Sequence, residues 1–276
     1  MRAETPASEE VPVAVTIAGS DSGGGAGVQA DIKTFAALGV YGATVITALT
    51  AQNTREIAGI FDVPESFIAR QIDALYSDLP VKATKIGMLG RKEVVCAVAE
   101  GLRRWEARRI VLDPVMLASS GTRLLREGAV DALAQLLFPL ADIVTPNLPE
   151  LAALLGEELA TNESAMAHQG EKLMRLGARA VLVKGGHAAG PESVDLLVDE
   201  TGISRHATPR ISARNTHGTG CTLSSAIAAG LAKGKSLPEA VRSAKLYLNG
   251  ALLAADRLKI GSGTGPVHHF HWAGRT

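Results

Sequence analysis

The feature that most constrains the fold is a repeated alternation of short β-branched apolar runs with longer helix-like stretches. Runs that predict strands cover residues 13–18, 44–47, 82–86, 109–113, 143–145 and 180–184, and the second of these strands is expected to end near residues 52–54. Stretches that predict helices cover residues 28–38, 65–77, 92–105, 129–138, 149–155, 163–176 and 237–257. Strands that alternate with helices at this spacing favour a mainly parallel sheet with helices on both faces.

The remaining segments predict one domain with a small edge feature. Two β-like runs between Val194 and Thr208 flank Asp199-Glu200-Thr201-Gly202 and predict an antiparallel hairpin at one edge of the sheet. Residues 13–276 contain no internal repeat or low-complexity linker and are expected to form a single domain. Residues 1–12 are rich in acids and are expected to be a disordered extension.

Charge and composition favour a small-molecule partner. The 28 Lys and Arg residues balance the 28 Asp and Glu residues, so no net field attracts nucleic acid or an acidic membrane surface. No apolar run approaches the roughly 18 residues of a membrane span, and no signal sequence is recognised at the N-terminus. The two cysteines, Cys96 and Cys221, do not suggest a disulfide framework. A cytoplasmic protein is expected.

A glycine-rich segment, Asn215-Thr216-His217-Gly218-Thr219-Gly220-Cys221, precedes apolar residues that recur every four positions. This pattern predicts a helix whose first turn begins at the glycines. Free N–H groups and the positive end of the helix dipole converge at such a start, and Gly218 and Gly220 allow the backbone to approach a charged oxygen. The segment predicts an anion site, although a simple glycine-rich helix cap would leave the same pattern.

Cys221 falls in the first turn of this helix. The dipole there favours the thiolate and is expected to lower the pKa from a reference of about 8.5, so that the sulfur can take a proton from a hydroxyl. A buried structural cysteine is the alternative.

Polar residues follow the predicted strands, and their side chains are expected to meet in one cleft at the carboxyl edge of the sheet. Lys184 could supply a fixed positive charge, and Asp113 and Glu150 could hold hydrated magnesium, which together suit phosphoryl transfer. Each also has a structural interpretation: Asp113 could only end a strand, Glu150 could only begin a helix, and Lys184 could be a solvated strand end.

Gly25-Ala26-Gly27-Val28-Gln29-Ala30 matches a loose dinucleotide-binding fingerprint and makes a dehydrogenase an alternative. That fingerprint needs an acidic residue about 20 positions later to bind a ribose hydroxyl. Leu49-Thr50-Ala51-Gln52 has no carboxylate there, so the phosphoryl-transfer interpretation accounts for more of the sequence.

Taken together, the motifs resemble those of the ribokinase-like superfamily, and within it the bacterial hydroxymethylpyrimidine/phosphomethylpyrimidine kinases of thiamine biosynthesis. The resemblance covers nearly the whole chain after residue 12. It rests on Thr16-Ile17-Ala18-Gly19-Ser20-Asp21, Thr47-Ala48-Leu49-Thr50-Ala51-Gln52-Asn53-Thr54, Lys85-Ile86-Gly87-Met88-Leu89, Leu112-Asp113-Pro114-Val115-Met116, Thr145-Pro146-Asn147-Leu148-Pro149-Glu150, Lys184-Gly185-Gly186-His187 and the segment from Asn215 to Cys221.

The resemblance implies a ribokinase-like three-layer αβα sandwich and a dimer. It also implies ATP- and magnesium-dependent phosphorylation of 4-amino-5-hydroxymethyl-2-methylpyrimidine to its monophosphate and then its diphosphate. Its implied site residues are Gln52, Asp31, Gly19, Met88 and Val115 for the pyrimidine, Lys184, Gly218, Thr219 and Gly220 for ATP, Asp113 and Glu150 for the metal, and Cys221 with Gly218 and Gly220 for catalysis. The amide of Gln52 offers a donor and an acceptor, which suits an amino group beside a ring nitrogen.

Two alternatives remain at this point. A pyridoxine/pyridoxal kinase would also phosphorylate a hydroxymethyl group, and the same type of Cys-containing anion loop serves it. A catalytically silent pyrimidine-binding regulator would keep the fold, but it would not need Lys184, Asp113, Glu150 and Cys221 together.

Overall fold

The computed structural model describes residues 10–118, 121–126, 128–187 and 190–272. Its strands are β1 (Val13–Ala18), β2 (Tyr41–Ile46), β3 (Ala48–Gln52), β4 (Ile57–Asp62), β5 (Val81–Ile86), β6 (Ile110–Leu112), β7 (Ile143–Val144), β8 (Val181–Lys184), β9 (Glu192–Asp199) and β10 (Gly202–Pro209). Its α-helices are α1 (Gly27–Ala37), α2 (Glu65–Tyr76), α3 (Lys92–Arg104), α4 (Ala129–Ala132), α5 (Leu148–Leu155), α6 (Glu163–Arg175), α7 (Thr219–Ala232) and α8 (Leu237–Leu253).

Eight strands form the central sheet in the order β10-β9-β8-β7-β6-β5-β1-β2. The neighbours from β2 to β8 pair in parallel, while β9 is antiparallel to both β8 and β10. The predicted parallel sheet with an antiparallel hairpin at one edge is therefore confirmed.

Two hydrophobic cores lie on opposite faces of the sheet because alternate residues of a strand point to opposite sides. Val15 and Ile17 of β1 belong to the core that also contains residues of α2, α3 and α6, whereas Ala14 belongs to the core with residues of α1, α7 and α8. The result is the predicted three-layer αβα sandwich.

Helix α7 lies at the centre of its layer, and its residues from Thr222 to Ala232 are all buried. Small side chains make this possible, since a Cβ added at Gly230 would lie 2.9 Å from Ala240 Cβ of α8. This packing fixes the start of α7 over β1, β5 and β6.

The structure confirms the strand predicted from residue 44 as part of β2 but corrects its predicted end near residues 52–54. The chain instead turns at Thr47 into β3, which leaves the central sheet and pairs with β4 as a separate two-stranded antiparallel sheet. Sequence analysis missed β4 because its side chains are only half-buried or exposed, so no buried apolar run marks it. Asn53 Oδ1 accepts hydrogen bonds from the N–H groups of Arg55 and Glu56 and so closes the turn between the two strands.

Two predicted helices end differently in the structure. Residues 129–138 form α4, a π-helical turn (Leu133–Leu137) and a 3-10 turn (Phe138–Leu140), because Pro139 has no N–H to continue an α-helix. The last helix ends at Leu253, and a 3-10 turn (Ala255–Arg257) follows, where Asp256 accepts from the N–H of Asn215.

The prediction of an extension at residues 1–12 falls largely outside the described residues. Within them, the Pro12 carbonyl accepts a hydrogen bond from Tyr41 N at 2.9 Å. A single domain over residues 13–276 stays a prediction.

Candidate active site

One large cleft opens at the carboxyl ends of the central strands and has a volume of about 890 Å³. This size suits a nucleotide and a small second substrate. All but one of the predicted site residues line it: Gly19, Gln52, Met88, Asp113, Val115, Glu150, Lys184, Gly218, Thr219, Gly220 and Cys221.

The start of α7 forms one corner of the cleft. Gly218 has the left-handed φ of 79°, and a Cβ there would lie 2.0 Å from the Gly25 carbonyl oxygen, so only glycine fits. A Cβ at Gly220 would lie 3.4 Å from Lys184 Nζ and 3.5 Å from Asp113 Oδ2. The first-turn amides of a helix have no intrahelical acceptor, so this corner presents N–H donors beside a lysine.

Lys184 joins two carboxylates at this corner. Its Nζ lies 2.8 Å from Asp113 Oδ1 and 3.8 Å from Glu150 Oε2, and all three side chains are largely buried. Burial opposes ionisation of Asp113, but the charges of Lys184 and Lys85 outweigh it and lower the pKa of Asp113. Burial raises the pKa of Glu150 against the attraction of Lys184, and the charge of Asp113 raises it further. The two carboxylates therefore have different proton affinities.

A capping box holds Glu150 in place at the start of α5. Asn147 N donates to Glu150 Oε2, and Glu150 N donates to Asn147 Oδ1, each at 2.8 Å. Asn147 also forms a β-bridge with Lys184. Glu150 therefore does lie at the start of a helix, and the capping box also directs its carboxylate toward Lys184.

Asp113 and Glu150 fit a magnesium ion that arrives with phosphates. Magnesium is bound in enzymes by one or two carboxylates together with water and substrate phosphate oxygens. Within the described ranges, no group of three or more His, Cys, Asp or Glu residues forms a metal cage. The donor set suits a metal completed by the ligand's own oxygens.

Cys221 lies at the base of the same corner, but the expected lowering of its pKa is wrong for the free protein. Burial raises the pKa of the Cys221 thiol to about 11. The nearby carboxylates raise this pKa further. The charge of Lys85 and the N–H of Gly27 lower it, but their combined effect is smaller. Desolvation outweighs the helix dipole at this position, so the thiol is protonated at neutral pH.

A neighbouring part of the cleft contains the residues expected to bind a pyrimidine. A Cβ at Gly19 would lie 3.0 Å from Met88 Sδ, so glycine leaves room for the Met88 thioether. Gln52 is held by Ser22, whose hydroxyl accepts from Gln52 N and donates to Gln52 O, both at 2.8 Å. Val115 forms part of the wall.

Asp31 is the one predicted site residue that does not line the cleft. It is fully buried on α1, where its carboxylate accepts from Lys85 Nζ at 2.8 and 3.0 Å, from Thr16 Oγ1 at 2.6 Å and from Ser225 Oγ at 2.6 Å. The carboxylate is committed to this internal network, so the expected contact with the pyrimidine is corrected to a supporting position beneath the site.

Sequence reasoning gave no role to Asp21, His217 or Lys85, although all three line the cleft. His217 Nε2 lies 2.9 Å from Asp21 Oδ2 and 3.3 Å from Gln52 Nε2. His217 lies inside the glycine-rich segment, which was interpreted only through its glycines and cysteine. The pairing joins residues 196 positions apart and has no local signal.

None of the described helices is long and apolar enough to cross a bilayer.

Comparison with known proteins agrees with this geometry. The sequence profile of a family described as phosphomethylpyrimidine kinase matches residues 21–268. A hydroxymethylpyrimidine/phosphomethylpyrimidine kinase of Rhizobium meliloti (strain 1021) is 60% identical over 259 residues, which are 94% of this chain and 97% of the relative.

Solved structures give the same picture. A phosphomethylpyrimidine kinase from Clostridium difficile 630 superposes with a TM-score of 0.77 at 43% identity, covering 87% of this chain and 98% of that one. The pyridoxal kinase of Staphylococcus aureus, in complex with AMP-PCP and pyridoxal, superposes with a TM-score of 0.88 at 32% identity, covering 97% and 96%. The resemblance inferred from the motifs is confirmed, and the chain belongs to the phosphomethylpyrimidine kinase family.

Proposed function

We propose that this protein uses ATP to phosphorylate the hydroxymethyl group of 4-amino-5-hydroxymethyl-2-methylpyrimidine and then extends the monophosphate to the diphosphate, for thiamine biosynthesis. The observation that carries this proposal is that one cleft joins the anion corner at α7 to the amide of Gln52. The anion corner suits a transferred phosphoryl group, and the Gln52 amide suits an aminopyrimidine.

The phosphoryl corner provides the electrostatic stabilisation that the reaction needs. Charge on a transferred phosphoryl group is spread over its oxygens, and fixed N–H donors and cations stabilise it. The amides from Gly218 to Gly220 and the Lys184 ammonium have this role in the proposal. Asp113 and Glu150 would hold Mg²⁺, which when bound supplies further positive charge at the phosphates.

Another wall of the cleft suits the nucleoside of ATP. This wall combines apolar side chains with one side-chain amide. Its residues lie at or just after the end of β10 and on α8. These residues are Pro209, Ile211, Leu248, Asn249 and Leu252.

The pyrimidine end predicts that Gln52→Ala weakens substrate binding more than turnover. Loss of the amide removes two hydrogen bonds to the ring, so KM for the pyrimidine should rise about 10–100-fold while kcat changes by less than about threefold. Steady-state kinetics measure both, with Gln135→Ala, an exposed glutamine outside the cleft, as the control. A fall in kcat with KM unchanged would contradict this role.

Cys221 is proposed as the base that receives the proton of the acceptor hydroxyl. Cys221→Ala should therefore lower kcat about 100-fold and change KM for the pyrimidine by less than about threefold. Cys96→Ala on α3 is the matched control. Only the thiolate can accept the proton, and with a pKa of about 11 its fraction rises about tenfold per pH unit below pH 10. Wild-type kcat should rise over this range, and a pH-independent kcat would reject the base role.

A pyridoxal kinase is the second candidate, because the Staphylococcus aureus enzyme of that name shares the fold over 97% of this chain. The donor and acceptor of Gln52 match an aminopyrimidine better than a pyridine ring, which has no amino group beside its nitrogen. Catalytic efficiencies measured side by side decide between the two, and a ratio that favours pyridoxal would overturn the assignment.

The proposal includes a cytoplasmic homodimer. Leu49 and Phe61 face each other across β3 and β4 and are 46% and 66% exposed, so a second copy could cover this apolar surface. Sedimentation equilibrium would test it, and a monomer at micromolar concentration would contradict it.

The direct test of the activity is mass spectrometry of the products formed from the pyrimidine alcohol and Mg-ATP. We expect pyrimidine monophosphate first and diphosphate later. Release of ADP without either product would reject the proposal, and binding without any turnover would support the silent regulator instead.

A further inference from the structure

The hydrogen-bonding partners of the Gln52 amide determine which of its two side-chain orientations is stable. Gln52 Nε2 faces His217 Nε2 at 3.3 Å, and Gln52 Oε1 lies 3.2 Å from Thr50 Oγ1. The amide nitrogen and oxygen exchange places by a half-turn about the last side-chain bond, and their partners decide which orientation is stable.

On one side, the partner of Gln52 is a donor. Asp21 Oδ2 lies 2.9 Å from His217 Nε2 and also accepts from Gly25 N and Ala26 N. Burial opposes ionisation of Asp21, but its hydrogen bonds and the charge of His217 lower its pKa, so it is a carboxylate at neutral pH. A carboxylate only accepts hydrogen bonds, so His217 Nε2 carries a proton toward it. The Gln52 NH₂ group therefore faces another donor.

On the other side, the partner is an acceptor. The Thr50 hydroxyl has one proton and donates it to the Ser20 carbonyl at 2.8 Å. Its oxygen then has a lone pair for a donor but no proton for Gln52 Oε1. A half-turn of the amide relieves both contacts. Gln52 Oε1 then shares the single Nε2 proton of His217 with Asp21 Oδ2, and Gln52 Nε2 donates to Thr50 Oγ1.

We propose that His217, held by Asp21, is a positioning residue that fixes the Gln52 amide with its oxygen toward His217 and its nitrogen toward Thr50, and that this order selects a 4-aminopyrimidine. One lone pair of the oxygen and one proton of the NH₂ group then point into the cleft in a set order. A 4-amino group beside ring N3 fits that order. A 4-oxo group beside a protonated N3 presents the reverse order and is rejected.

The geometry around His217 depends on a second feature. A Cβ at Gly25 would lie 2.5 Å from His217 Cδ2, so glycine is required for the imidazole to reach both Asp21 and Gln52. The glycine-rich loop after β1 thus contributes to substrate specificity, in addition to connecting β1 to α1.

This inference rests on the proposed function, and ligands that lack the reacting hydroxyl separate the two tests. Calorimetry should compare 4-amino-2,5-dimethylpyrimidine with its 4-oxo analogue. The wild-type protein should bind the amino compound about 100-fold more tightly, because the oxo compound leaves buried polar groups unpaired. His217→Leu frees the amide to turn, so the ratio should fall to about fivefold or less.

Thr50→Val provides an independent variant on the opposite side of the amide. The ratio of affinities for the amino and oxo compounds should also fall in this variant, by about tenfold. His217→Gln keeps an N–H donor and should restore the ratio to within about threefold of wild type. Melting temperatures establish that each variant is folded.

If the ratio of affinities for the amino and oxo compounds in His217→Leu stayed within twofold of wild type, the positioning role would be overturned. A wild-type ratio near one would also overturn it, provided that the protein phosphorylates the pyrimidine alcohol. A wild-type protein that neither binds the amino compound nor phosphorylates the alcohol would reject the proposed function itself, and the positioning role with it.

Discussion

Lys184→Met should lower kcat by about 10³-fold. Lys184 Nζ lies 3.4 Å from the position of a Cβ at Gly220 in the first turn of α7, and in a buried site its charge stabilises a transferred phosphoryl group far more than it would in water. Methionine keeps most of the side-chain volume and removes the charge. It also leaves Asp113 and Glu150 without the ammonium that lies 2.8 Å and 3.8 Å from them, so the negatively charged phosphates would meet two uncompensated carboxylates and Mg-ATP should bind more weakly as well.

Steady-state kinetics with saturating pyrimidine and varied Mg-ATP measure this effect. Lys233→Met is the matched control, because Lys233 is exposed just beyond the other end of α7. We expect the control to retain activity within about twofold of wild type. A fall of less than tenfold in Lys184→Met, with KM for ATP unchanged, would mean that Lys184 does not contact the transferred phosphoryl group.

Lys85→Met should destabilise the protein by about 3–5 kcal/mol, the usual cost of breaking a buried ion pair from one side. Lys85 and Asp31 are both fully buried, and Lys85 Nζ lies 2.8 and 3.0 Å from the two carboxylate oxygens. Burial alone would lower the pKa of Lys85, but the charge of Asp31 outweighs it and raises that pKa, so the pair is ionised at neutral pH. The variant would leave Asp31 buried with only hydroxyl donors, and we expect a lower free energy of unfolding in urea.

A double variant separates the charge from the packing. Lys85→Met with Asp31→Asn removes both charges. The asparagine keeps one acceptor for the hydroxyl of Thr16 or Ser225, and its NH₂ group can donate to the oxygen of the other, so the double variant should recover most of the lost stability. If the double variant were less stable than Lys85→Met alone, the uncompensated charge would not be the cause. The same pair supports the floor of the cleft beneath Gly87, where an added Cβ would lie 2.7 Å from Lys85 Nζ.

The sequence predicted the central sheet well because its strands are apolar runs whose alternate residues enter two cores. Val181, Leu182 and Val183 in β8 show this pattern, and no polar residue interrupts it. The small sheet was only half predicted, because β4 exposes much of its side-chain surface and pairs through its backbone. The early end of α8 depends on Asn215 and Asp256, which meet only after the chain has folded.

The site was predicted where function resides in a local motif and missed where it depends on distant pairs. The glycines at 218 and 220, the capping box of Glu150 and the position of Lys184 after β8 can all be inferred from short segments. The burial of Asp31 and the raised pKa of Cys221 are set by neighbours from several elements. No spacing rule relates Asp21 to His217, so the network around Gln52 became visible only in three dimensions.

The proposed mechanism requires that the transferred phosphate binds at the start of α7. A crystal structure with a non-hydrolysable ATP analogue and Mg²⁺ tests this most directly. We predict terminal phosphate oxygens about 3 Å from the main-chain nitrogens of Gly218 and Gly220, with Lys184 Nζ also in contact. A terminal phosphate beyond hydrogen-bond reach of both amides would contradict the proposed mechanism.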